Sequence, residues 1–151
     1  MEKNDTGYGL NSAEDVIQAA DAITNTADMA LKWVINHFET RQIDQAEAQQ
    51  LFASINQVRH MANTLYATAG NLVVKDLGET QQNVLDIINS AKDTIATIQK
   101  AKLIIDIIAD MVALAATINA GKPGPILASL VEVKKSREEP GKVVATGNNN
   151  I

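Results

Sequence analysis

Residues 44–72 read DQAEAQQLFASINQVRHMANTLYATAGNL. Their apolar positions Ala48, Leu51, Ile55, Val58, Ala62, Leu65, Ala69 and Leu72 follow a 3-4-3-4-3-4-3 spacing without a miss. That is one face of an α-helix repeated over more than three heptads, and a strand would need a period of two instead. Asp44 followed by Glu47 gives the start signal of a capping box, and Ile43 precedes it as a hydrophobic staple. The segment therefore predicts a long amphipathic helix with a defined beginning.

The same reading extends in both directions. Upstream, Ser12-Ala-Glu-Asp15 caps a helix whose positions Val16, Ala20, Ile23, Ala27, Ala30 and Val34 run to about Glu39, with a parallel stripe of Ile17, Leu31 and Phe38. The short link Thr40–Ile43 makes these two helices an antiparallel hairpin. Downstream, Gly70 and Gly78 bracket a turn, and a third helix is predicted from about Thr80 to Asn119. Its stripe reads Val84, Ile88, Ala91, Ile95, Ile98 and then slips to Ala101, Ile105, Ile108, Val112, Ala115. The slip near Lys100–Lys102 marks a kink or a change of supercoil. Gly121-Lys122-Pro123-Gly124-Pro125 stops the helix, and Ile126–Val131 forms a short apolar arm that folds back.

The predicted architecture is thus all-α: an antiparallel bundle of three long amphipathic helices with coiled-coil-like packing, plus a short C-terminal arm. Residues 12–139 form the single domain, residues 1–11 a flexible N-terminal arm, and residues 140–151, beginning at Pro140-Gly141, a disordered tail. At 151 residues one hydrophobic core is the default. With only 3% aromatics that core must be aliphatic and alanine-rich.

Composition narrows the function classes. Residues 1–99 carry 6 Lys or Arg against 13 Asp or Glu, and residues 100–151 carry 7 against 5. Tyr8, Trp33, Phe38, Phe52 and Tyr66 have no basic clusters around them, so no nucleic-acid partner is expected. The absence of Cys removes disulfides, thiolate nucleophiles and thiolate metal sites. Met1–Asp5 lacks the basic-then-apolar pattern of a secretory signal, so a cytoplasmic place or export by a non-classical route is expected.

No motif for catalysis, cofactor or metal emerges. His37 and His60 belong to no helical pair of metal-ligand spacing and read as structural histidines. Asp106 and Asp110 share a helical face in an apolar stretch, where desolvation could serve acid–base chemistry, but Lys102 one turn earlier makes a narrow solvated face the better account. Gly121-Lys122-Pro123-Gly124 lacks the spacing of a phosphate loop, and Lys134, Lys135 and Arg137 are diluted by Glu132, Glu138 and Glu139. The chain is read as having no enzymatic activity, no cofactor and no small-molecule substrate.

What stands out is Leu103–Ile118, where 13 of 16 residues are apolar. A helix apolar nearly all round must be covered on more than one side, and the Ile126–Val131 arm is too short to do so. An interaction surface is therefore predicted on Ile104, Ile105, Ile108, Met111, Val112, Leu114, Ile118, Ile126, Leu127 and Leu130. Its expected partner is a second copy of the chain or another helical protein, giving a homo-oligomer or a structural complex. The alternative is a membrane. An apolar hairpin at 103–131 attached to an amphipathic bundle resembles, in architecture and not in motif, the helical-bundle pore-forming toxins of the cytolysin A type. That resemblance implies a membrane-active chain that inserts the hairpin.

Overall fold

A computed structural model describes residues 8–72 and 74–146, with side-chain environments through Ser136. The described residues are helical apart from loops and one isolated bridge between Tyr8 and Thr80. Five helices replace the expected three: α1 (Ala13–Glu39), α2 (Gln45–Thr68), α3 (Gln81–Thr97), α4 (Ala101–Ala120) and α5 (Pro123–Thr146).

The first two helices form as their sequence dictates. The Ser12 side chain accepts from the Asp15 N–H at 3.1 Å, and Asp44 and Glu47 close a full capping box at 2.8 and 3.1 Å. Both apolar stripes are buried along their whole predicted lengths, as are Val84, Ile88, Ala91, Ile95 and Ile98 in and just after α3. The secondary stripe of α1 is not: Ile17 and Phe38 are exposed and Leu31 is half-buried.

The long third helix is broken. Ile98, the C-cap of α3, and Lys100, the N-cap of α4, are both extended, so the chain reverses there without Pro or Gly. The cause is the phase slip. A straight continuation would swing the apolar face of residues 101–118 away from that of 84–98, whereas the break turns both inward. It also removes the mismatch in length, since α3 and α4 span about 26 and 30 Å at 1.5 Å per residue against about 40 Å for α1.

The packing order is a closed ring, α1–α2–α4–α5–α3 and back to α1. Asp28–Arg59 and Asp21–Tyr66 fix α1 and α2 as antiparallel. Gln81 Nε2 donates to Asp15 O at one end and Trp33 Nε1 to Ile98 O at the other, so α1 and α3 are parallel. Thr117–Ser129 and Asp110–Ser136 set an antiparallel α4–α5 pair. In that register α5 follows α4 from end to end. The C-terminal segment is therefore not a six-residue arm but a helix of 24 residues. The helix passes through Pro140-Gly141, where order was expected to end. Residues 147–151 of the expected tail lie outside the described residues.

The N-terminal arm is also tied down where it is described; residues 1–7 lie outside that range. Gly9 N–H donates to Glu79 O at 2.7 Å, Leu10 N–H to Gln81 Oε1 at 2.9 Å, and Val74 N–H to Leu10 O at 2.8 Å. Leu10 is fully buried. Gly9 is obligatory for this strap, since a Cβ there would lie 2.9 Å from the Gln81 Cα, a backbone atom that cannot step aside. Gly9→Ala should lower stability by about 1–3 kcal/mol through this overpacking. An unchanged denaturant midpoint would show that the strap contributes nothing.

Candidate functional site

The ten residues anticipated as an interaction surface divide sharply in the structure. Ile104, Ile108, Met111, Leu114, Ile118, Ile126 and Leu130 are buried inside the chain and form its core with α1, α2 and α3. Only Ile105, Val112 and Leu127 are partly exposed. The inward register of α4 is rotated from the predicted one: Ile104, Ile107, Ile108, Met111, Leu114, Ala115 and Ile118 are buried, and Ala101, Ile105 and Val112 flank them. An almost continuous apolar run gives periodicity little to choose between, so neighbouring registers score alike.

The residues that α4 exposes to solvent are Lys102, Ala109, Ala113, Ala116, Asn119 and Ala120, and all but Asn119 lie on one face. From 109 onward the spacing is 4-3-4, one stripe along the helix. Ile105 and Val112 border it toward α2, where Thr68 Oγ1 donates to Asn119 Oδ1 at 3.3 Å. Asp106, Asp110 and Thr117 border it toward α5, where Asp110 accepts from the Ser136 hydroxyl. These alanines escaped sequence reasoning because hydropathy patterning counts Ala with the core. The signal that could have found them is the regular spacing of alanines at 109, 113, 116 and 120 in a run whose other apolar positions are mostly Ile, Leu, Met and Val.

The titratable candidates do not converge. His60 is exposed. His37 is 7% exposed, stacks on Trp33 with ring centroids 3.7 Å apart at 15°, and its Nδ1–H donates to Trp33 O at 2.9 Å. It braces the end of α1, as does its own carbonyl, which accepts from the Gln42 and Ile43 N–H groups. Burial pushes the Asp15 carboxyl up from its ordinary value, opposed first by a hydrogen bond from the Asn11 N–H. Burial also raises the Tyr66 hydroxyl, helped by its bond to Asp21. Both groups sit in the α1–α2 half of the ring, away from the exposed face of α4. Among the described residues no three His, Asp or Glu side chains are grouped to hold a metal ion.

Two open depressions lie elsewhere. One of about 760 Å³ at the α1–α2 turn is lined by Phe38, Glu39, Arg41, Gln42, Ile43, Asp44 and Glu47. The Asp44 and Glu47 carboxylates are already engaged in the capping box. The other, about 320 Å³ along α3, is lined by Ser90, Asp93, Thr94 and Thr97. There the Thr94 and Thr97 hydroxyls donate to the helix's own carbonyls. Neither is lined by a histidine or a lysine.

Compared with known proteins, the chain matches no family model, no curated protein and no solved structure.

Proposed function

We propose that this chain is a non-enzymatic helical interaction protein that docks a helix of its own kind, or of another helical protein, on the outward face of α4. One observation carries the reading. Over the three turns Ala109–Ala120 the outward stripe is Ala109, Ala113, Ala116 and Ala120, with the exposed Asn119 at its edge toward α2, while α2 mixes its exposed Ala46, Ala53 and Ala67 with Gln45, Gln49, Gln50, Asn56, Gln57, His60, Asn63 and Tyr66. A single exposed alanine means little, because Ala is the strongest helix former and apolar atoms cover much of any protein surface. An aligned stripe without a charge is different. Small side chains let a second helix come to about 8 Å, the close end of helix–helix spacings, and the half-buried Ile105 and Val112 supply aliphatic contact beside it.

Light scattering at tens of micromolar tests the proposal. The chain should show a mass above 16.2 kDa, and Ala113→Arg should return it to the monomer with an unchanged melting curve. Residue 113 faces solvent, so the substitution leaves the core intact. A wild-type chain that stays at 16.2 kDa sinks the reading.

A second reading, insertion of the 103–131 hairpin into a membrane, is supported by α4 itself, which is long and apolar enough to cross a bilayer by length and composition. Liposomes added to the same measurement separate the two. Under docking the mass is unchanged by lipid. Under insertion the chain floats with the vesicles and Ala113→Arg blocks capture.

A further inference from the structure

Resting on the docking reading, we infer that the occupant of the α4 face is a second copy of this chain, packed antiparallel about a two-fold axis, with Lys122 of each copy beside Asp106 of the other. The distribution of charge selects this arrangement. Between its ends the exposed α4 face, with its flanks Ile105 and Val112, is aliphatic. At the N-terminal end Asp106 sits on the border toward α5. Just past the C-terminal end, in the turn that leads into α5 and hence on the same border, is the exposed Lys122. The acid and the base thus lie at opposite ends of one edge.

A parallel pair of such faces would set acid level with acid and base level with base. An antiparallel pair sets each acid against a base, twice, because the two-fold axis repeats the contact. Antiparallel helices also oppose their dipoles. The register follows from the seam. If Ala109 lies level with the partner's Ala120, and Ala113 with the partner's Ala116, then Asp106 falls level with residue 123 of the second copy. That is about 1.5 Å along the axis from the partner's Lys122. Lys102, on the stripe itself, then lies about 7.5 Å past that lysine, beyond the partner's α4–α5 turn, so the two like charges do not meet. Among the described residues the ion pairs are Arg59–Asp28 at 2.5 Å and Lys135–Glu132 at 3.8 Å, and neither engages Asp106 or Lys122.

The size of the face sets the strength. Ala109–Ala120 is about 18 Å long, so one helix face covers less than the roughly 800 Å² per partner of a standard stable interface. The dimer should therefore be a weak, concentration-dependent one, with dissociation in the micromolar range and stronger at low salt, where exposed ion pairs are least screened.

Two sets of variants test the arrangement. Lys122→Glu and Asp106→Lys should each raise the dissociation constant about tenfold by replacing two attractions with two repulsions, and the double swap should restore it to within about threefold. Because the chain has no Cys, introduced thiols report geometry directly. Ala109→Cys/Ala120→Cys together should form disulfide-linked dimers on oxidation, and neither alone should. Cross-linking by Ala109→Cys alone would establish a parallel pair and overturn this inference while leaving the docking reading in place. A dimer indifferent to both charge reversals would also overturn it. A wild-type chain that never dimerises removes the docking reading as well.

Discussion

Replacing Ile104, Ile108 and Met111 together by Ser is expected to unfold the chain rather than to disconnect it from a partner. All three side chains are fully buried, on the strip of α4 that faces the centre of the ring. Truncating a single buried Ile or Met costs about 2–5 kcal/mol when the site cannot collapse. Taken separately the three losses come to roughly 6–15 kcal/mol, and although neighbours on adjacent turns do not add strictly, that is on the scale of the whole stability of a typical domain. The serine hydroxyls can bond back to the carbonyl one turn earlier, which spares the desolvation penalty but not the void. Far-UV circular dichroism and a thermal melt read the outcome. A variant that keeps the native helix signal and melting temperature but loses its oligomeric mass would restore these residues to an interface.

That prediction reverses what the sequence suggests, and the reversal shows which parts of the fold are legible. The stripes of α1, α2 and α3 read correctly because polar residues interrupt them: between Ile55 and Val58, for example, the exposed Asn56 and Gln57 leave only one face to bury. In α4 nearly every position is apolar, so periodicity identifies a helix but not its facing. The expectation that Leu103–Ile118 needed a cover from outside the chain assumed an arm of six residues. It failed because α5 continues past Val131 and packs along one side of α4 while α2 packs along the other, with α1 touching it across the ring. What remains of the predicted surface is the border, Ile105 and Val112, and beside it alanines that hydropathy could not distinguish from core.

Other features left no local trace. Leu10 adopts φ 58 and carries its side chain into the core from a segment that composition marks as a frayed arm. Its place depends on Glu79 and Gln81, some seventy residues away. The break at 98–100 lacks the Pro or Gly by which sequence announces a turn, and only the phase slip pointed to it.

That break is held by Trp33, the chain's sole tryptophan, and its removal gives the other large expected effect. Trp33 is 5% exposed, stacked on His37, and its Nε1–H donates at 2.8 Å to the carbonyl of Ile98, the residue that ends α3. The indole therefore joins the C-terminal part of α1 to the point where the chain reverses into α4. Trp33→Ala should cost about 3–5 kcal/mol, as for other large aromatic truncations in a core. Trp33→Phe separates packing from hydrogen bonding. The phenyl ring keeps most of the stack, so the loss is mainly that of a donor to a buried carbonyl, about 1–3 kcal/mol. The two readouts should also differ in place. In Trp33→Phe, amide hydrogen exchange should accelerate from Ile98 to Leu103, the stretch that the indole ties to α1, and stay unchanged in the middle of α2, whose buried positions Ile55 and Val58 face other neighbours. Equal protection at the junction in wild type and Trp33→Phe would mean that the reversal is fixed by the apolar faces of α3 and α4 alone, and that the Trp33–Ile98 bond is incidental to it.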